Sequence, residues 1–236
     1  MSPAVTALRT AADRRSERVT TTRDQLLAVS EPFIPLLPLG GLRRGSTIGV
    51  TGRGAVTSLA LALVAEASAQ GSWVAIVGMP DLGLVAAHEL GLALDRCLLV
   101  DRLPTGTWGQ VVGALVGAVD VVVTAPPARV RAGEARRVTA RLRERGTVMV
   151  QAGGKAPPGA PAEVSLAVTG VRWEGLGAGY GRLSARRVSV ERTGRGAASR
   201  PLAVDLWLPG HDGRVATAEP EPALAEIHPL LVAGAT

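Results

Sequence analysis

The stretch STIGVTGRGAVTSLALALVAEAS, Ser46 to Ser68, decides the fold. An apolar run at Ser46 to Thr51 meets a turn built on Gly52 and Gly54, and an apolar helical stretch follows from Ala55 to Gln70. Strand, glycine turn and helix in that order form the layout of a nucleotide-binding loop, where backbone N–H groups at a helix start cradle phosphates. Downstream the alternation continues. Strands are predicted at Trp73 to Gly78, Arg96 to Val100, Val119 to Thr124 and Thr147 to Gln151, and helices at Leu82 to Leu90, Trp108 to Ala118 and Gly133 to Arg145. The strand candidates are short and continuously apolar, as strands buried on both faces must be. Strands alternating with helices predict an α/β fold with a mostly parallel sheet.

After Gln151 the pattern changes. A turn-rich AGGKAPPGAP leads into AEVSLAVTGVRW, GRLSARRVSVER and RPLAVDLWLP, three strands with no helices between them. They are expected to extend the sheet in antiparallel fashion, with a bulge in the second. Residues 1–30 read as a helical arm and residues 31–208 as the core, beginning with an extended, proline-rich connector at Glu31 to Gly45. Residues 209–236 read as a flexible, acidic, proline-rich tail. It closes on Ile227, Leu230 and Leu231, which are partner-binding candidates because a short apolar patch after a polar stretch suits ordering on contact.

Composition narrows the function classes. Of 236 residues, 47% are apolar and 19% charged, which fits a globular body. No apolar run approaches the roughly 20 residues of a membrane span, and MSPAVTALRTAADRRSER has no apolar signal core. The single cysteine, Cys97, cannot form an internal disulfide, and a cytoplasmic setting is expected. The net charge is +6, but Arg129 to Arg200 holds fifteen basic residues against five acids. That block reads either as an anion-binding face, for which nucleic acid is the common large partner, or as a solvated basic surface.

The loop lacks the parts that nucleotide chemistry needs. A working phosphate loop ends in a lysine for the β/γ charge and a hydroxyl for Mg²⁺. Here Gly52, Gly54, Thr57 and Ser58 remain, the loop is about two residues short, and the chain's one lysine is Lys155. A dinucleotide reading of GRGAVT fails on the second strand, which ends in Gly78 and Met79 rather than an acid. VDVVVTAPP is followed by Ala125 and Pro126 where a Mg²⁺-linked aspartate would stand. His88, His211 and His228 have no metal-ligand spacing, and no serine has a nucleophile-elbow context. No catalytic residue, cofactor or metal site is expected.

The run from LPLGGLRRGSTIGV to VAAHELGL, with VDVVVTAPP and GRLSARRVSVERTG after it, resembles the ATPase core of RecA recombinases over residues 38–208. By position, Pro80 replaces the family's catalytic glutamate and Ala125 its Walker B aspartate. A closer resemblance is to the actinobacterial RecA-like accessory proteins of the ImuA′ type. That resemblance implies a non-enzymatic adaptor in DNA repair and mutagenic translesion synthesis, cytoplasmic and nucleoid-associated. The implied partners are an ImuB-like inactive Y-family polymerase homologue, through it a C-family polymerase, and single-stranded or primed DNA. A divergent NTPase with a variant loop and a small-molecule enzyme with a dinucleotide-like loop stay open as alternatives.

Two elements carry the DNA-binding candidates. Arg136, Arg137, Arg141 and Arg145 lie on the predicted helix, where Arg137, Arg141 and Arg145 share a face at i, i+4 spacing and Glu134 can pair with Arg137. Arg182, Arg186 and Arg187 lie on a late strand. Trp173 and Tyr180, in the glycine-rich RWEGLGAGYGR, are expected to be mobile and able to stack on bases or on a partner.

Overall fold

The computed structural model describes residues 25–127, 129–154, 156–176 and 180–219. The chain enters through strand β1 (Leu26–Leu27), passes a 3-10 helix at Glu31–Leu36, and returns as β2 (Leu42–Arg43), antiparallel to β1. Leu26 and Leu27 were expected in a helical arm and are strand; residues 1–24 of that arm lie outside the described residues. The connector also differs from its extended expectation. Pro32 sits in the first turn of the 3-10 helix, where an N–H has no helical partner. Phe33 and Leu36 are then fully buried against the sheet, which rewards the turn.

The alternating region follows its expected order. It runs β3 (Thr47–Gly52), α1 (Val56–Ala69), β4 (Val74–Val77), α2 (Leu84–Glu89), β5 (Cys97–Val100), α3 (Trp108–Leu115), β6 (Val121–Thr124), α4 (Ala132–Arg145) and β7 (Val148–Ala152). Then come β8 (Val164–Leu176), β9 (Gly181–Gly194), β10 (Leu202–Trp207) and β11 (Ala216–Thr217). The nine-stranded sheet has the order β11-β10-β9-β8-β3-β7-β6-β4-β5. Its strands from β5 across to β8 are parallel, and β9, β10 and β11 are antiparallel additions.

The start of the antiparallel part corrects the sequence reading. β8 runs parallel to β3, with Ile48 opposite Val164 and Gly52 opposite Val168. The segment 153–163 crosses back over the sheet without a helix, which is long enough for a parallel return. The irregularity expected in β9 is present near its start: Glu174 faces Ala185 and Leu176 faces Gly181, so residues 182–184 oppose Gly175 alone. A second one lies on β8, where Val168 faces Val190 and Gly170 faces Ser189 and Thr169 is the extra residue. The expected tail is ordered at its start. β11 pairs with β10, and Val215 packs on the core. Ile227, Leu230 and Leu231 lie outside the described residues.

Strand alternation divides the core between two faces. Ile48, Val50, Ile76, Val123 and Val150 turn toward α1. Ala75, Val77, Val122 and Met149 turn toward Trp108 and Val112 of α3 and toward Ala135, Val138 and Leu142 of α4. α1 is apolar nearly all round, as befits a helix buried between the sheet and the entering segment. α4 shows one apolar stripe and a charged outer surface. Among the described residues, no helix is long and apolar enough to cross a membrane.

Asp120 fastens the lower end of the sheet. It precedes β6, and its carboxylate accepts from Arg44 Nη1 at 2.9 Å and from the Trp73 backbone N–H at 3.0 Å. This joins the segment after β2, the start of β4 and the start of β6. Asp120→Ala removes the acceptor of a buried N–H and of a mostly buried guanidinium. The expected loss is about 2 kcal/mol, read as a lower urea midpoint; an unchanged midpoint would remove Asp120 from this role.

Candidate functional site

The β3–α1 turn lies against β8. Gly52 has φ 118°, and a Cβ there would stand 2.8 Å from the Val168 Cβ and closer still to its carbonyl oxygen. Gly54 has φ 72° and faces a Val171 methyl. The glycines are therefore fixed by backbone conformation and by the approach to β8. Helix α1 starts after Ala55 with no side-chain cap, and Thr57 is exposed. Neighbouring strand ends offer Gly78, Ala125 and Gln151, with Pro80 exposed beyond β4. Thr124 is buried and accepts a hydrogen bond from Trp108 Nε1 at 3.0 Å. Gln151 is buried with its carboxamide unpartnered. Among the described residues, no three His, Cys, Asp or Glu side chains cluster as a metal site. Burial, with Asp95 nearby, pushes the Cys97 thiol up to about 11, so it is not a poised nucleophile.

The structure separates the arginine candidates into two populations. Those on β9 are engaged internally. Arg187 pairs with Asp205 at 2.8 Å and donates to the Glu219 carbonyl. Arg186 donates from Nε to the Leu208 carbonyl at 2.5 Å and lies 4.9 Å over the Trp173 ring. Burial lowers its guanidinium from the ordinary value. Arg192 is buried and donates to the Pro35 and Arg200 carbonyls. Burial raises the Asp205 carboxyl, but hydrogen bonds from Ser189 and Arg187, with the charges of Arg187 and Arg172, outweigh it and hold the group below the usual carboxylate value. Arg182 is exposed near the end of the β8–β9 hairpin.

On α4 the arginines are exposed, and the structure arranges them along a groove. α3 and α4 enclose a volume of about 530 Å³ lined by Gly109, Gly113, Arg131, Glu134, Arg137 and Arg141. Glu134 does not pair with Arg137 as expected. Its Oε1 accepts from the Gly109 N–H at 2.8 Å, capping the first turn of α3, and a Cβ at Gly109 would overlap it. A Cβ at Gly113 would meet nothing within 4 Å. A mid-helix glycine costs about 1 kcal/mol relative to alanine, and no packing in the described residues requires this one. Arg136 packs beside Gly159 at the upper end, and Arg145 covers Gly117 at the lower end. The groove escaped sequence reading, although two glycines four apart beside a basic helix were its visible trace.

Trp173 is not mobile in a loop. It is part of β8, on a hairpin that outruns the sheet and exposes Val171, Leu176, Leu183 and the adjoining Tyr180.

The family described as the MT3502 N-terminal domain matches residues 35–158, more than half of the chain. The chain belongs to this family. The matched span runs from the end of the 3-10 helix past β7, so the MT3502 N-terminal domain here takes in β3 to β7 with their helices and leaves out the parallel β8. The chain is 31% identical over 197 residues to the uncharacterized protein Rv3395c of Mycobacterium tuberculosis (strain ATCC 25618 / H37Rv), covering 76% of this chain and 93% of that protein. Among solved structures, the RadB recombinase aligns with a TM-score of 0.57 at 17% identity, over 80% of this chain and 97% of its own. That likeness shows the fold, and the RecA-like architecture expected from the sequence is present.

Two outcomes test this geometry. Gly52→Ala is expected to destabilise by about 3 kcal/mol or more, and Gly54→Ala by about 1, because a Cβ strains both backbones and the first also collides with β8. Near-normal melting of Gly52→Ala would contradict the close approach. Asp205 stabilises above the ordinary carboxylate pKa of about 3.9, and its contribution disappears as pH falls through its lowered native value. Asp205→Asn should therefore lower stability at neutral pH and flatten the acid limb of a urea-midpoint series; an acid limb as steep as wild type would assign it to other carboxylates.

Proposed function

We propose that the protein is a non-catalytic RecA-fold accessory protein of DNA repair and damage tolerance. It acts as an adaptor in mutagenic translesion synthesis, binds an ImuB-like inactive Y-family polymerase homologue, and meets a C-family polymerase through it. It works in the cytoplasm at the nucleoid, on single-stranded or primed DNA. One observation carries this reading. The strand ends where a RecA-like core would hold Mg-nucleotide present Gly52, Gly78, Ala125 and Gln151, while the turn itself is packed on Val168 and Val171. The turn itself carries no lysine, and Gly52, Gly78, Ala125 and Gln151 stand where a carboxylate would fix Mg²⁺. The fold is kept, and the turn serves to join β3, α1 and β8.

The adaptor role is also supported by the hairpin. Exposed Val171, Trp173 and Leu176 on a projecting ribbon give a protein partner an apolar surface. The candidate segment with Ile227, Leu230 and Leu231 is a second docking element for the same partner. An NTPase reading draws on the uncapped start of α1, which can still attract an anion.

Calorimetric titration with Mg-ATP to millimolar ligand, with an ATPase assay with and without single-stranded DNA, separates the two. Neither heat nor turnover is expected. Saturable binding with DNA-stimulated hydrolysis would overturn the non-catalytic assignment. In parallel, the ImuB-like homologue from the same genome should co-purify with the full chain, and failure to do so would overturn the adaptor assignment.

A further inference from the structure

We propose that the groove between α3 and α4 holds one phosphodiester strand of a nucleic acid, with Arg131, Arg137 and Arg141 contacting its phosphates. The inference rests on the reading of the protein as one that works on DNA, and it gives that reading a site. The three arginines line one cavity and are exposed, and no side-chain ion pair or hydrogen bond to the described residues engages any of the three guanidiniums. They are thus unlike Arg186, Arg187 and Arg192, which satisfy carbonyls and Asp205 inside the fold. The one acid on the lining, Glu134, commits an oxygen to the Gly109 N–H.

The three arginines are spread along the groove. Arg131 to Arg141 spans ten residues, about 15 Å of helix, so the guanidiniums can follow a strand over several phosphates rather than grip a single anion. The facing wall is mostly glycine, with Gln110 and Ala114 beside Gly106, Gly109 and Gly113. Gly113 leaves open space where a side chain would otherwise fill the groove, so a sugar–phosphate chain can approach the α3 backbone. The planar guanidinium fork suits phosphate oxygens in two-point contact. A protein partner finds little to anchor on, because Val138 is the one large apolar side chain of the lining and is itself buried.

The test is anisotropy of a labelled oligo-dT of about 15 nucleotides with the full chain, from about 50 mM salt upward. Arg137→Ala/Arg141→Ala should weaken binding about tenfold and reduce the log–log salt slope by about 1.4, at about 0.7 per single-strand phosphate. Gly113→Leu should weaken it comparably by filling the groove, without lowering the melting temperature, since its Cβ points into open space. Arg195→Ala/Arg200→Ala, an equal charge loss at exposed positions outside the groove, should change affinity by less than about threefold.

Groove and control pairs behaving alike would overturn the site in favour of a diffuse basic field. An arginine effect with a neutral Gly113→Leu would move binding to the outer face of α4. Groove-dependent binding of an oligoglutamate peptide that oligo-dT does not compete would replace the nucleic acid by an acidic protein. Each of these leaves the adaptor assignment to the co-purification result. Groove-dependent oligo-dT binding without co-purification would sink the partner and keep the site.

Discussion

The C-terminal third of the fold hangs on the ladder between β3 and β8. The sheet order places β8 between the other parallel strands and the antiparallel β9, β10 and β11, so among the described residues these reach the central sheet by no other strand pairing. The ladder runs to its last residue, Gly52, because that position has no Cβ and takes φ 118°. The turn beyond it therefore leaves the sheet already leaning on β8, with Gly54 against Val171.

The positive charge has two physical uses, which a count of residues merges. Where β9 is crossed by the chain returning to β10 and by the segment before β11, carbonyls face inward without strand partners. Arginine reaches them, and its fork bonds more than one at a time, as Arg192 does for Pro35 and Arg200. Arg187 likewise joins Asp205 to Glu219. These residues are cationic because the architecture needs long donors. Those on α4 have no such employment: the stripe of Ala135, Val138 and Leu142 fixes the helix, and the arginines face outward. The basic block from Arg129 to Arg200 is accordingly not one surface.

The parallel half was readable because its information is local. Continuous apolar runs such as Val121–Thr124 need cover on both faces, and the helices between them supply it. The direction of β8 was not readable, since alternation has the same period whichever way a strand runs. Glu31–Leu36 misled because its prolines deny a standard helix, yet they permit a 3-10 turn that drives Phe33 and Leu36 inward. Of the candidate site, the arginines of α4 were visible. The groove was not, because Glu134 could be matched with Arg137 on its own helix, while its partner is the Gly109 N–H on α3, a tertiary contact.

The two exposed features fall on opposite faces of the sheet. Val171 stands opposite Val188, a member of the core cluster that packs on α1, and alternation along the hairpin puts Trp173 and Arg186 on that same face. The α3–α4 groove is on the other face, over Ala75, Val122 and Met149. A protein resting on the Trp173 surface and a strand lying along Arg137 and Arg141 would be separated by the thickness of the sheet, so neither needs to displace the other. An enzyme of this fold concentrates its ligands at the strand ends. Here the ends of β3, β4, β6 and β7 carry Gly52, Gly78, Ala125 and a Gln151 unpartnered among the described residues, and the two exposed features lie on the flanks instead, where the proposed partner and the proposed strand would each have a face of its own.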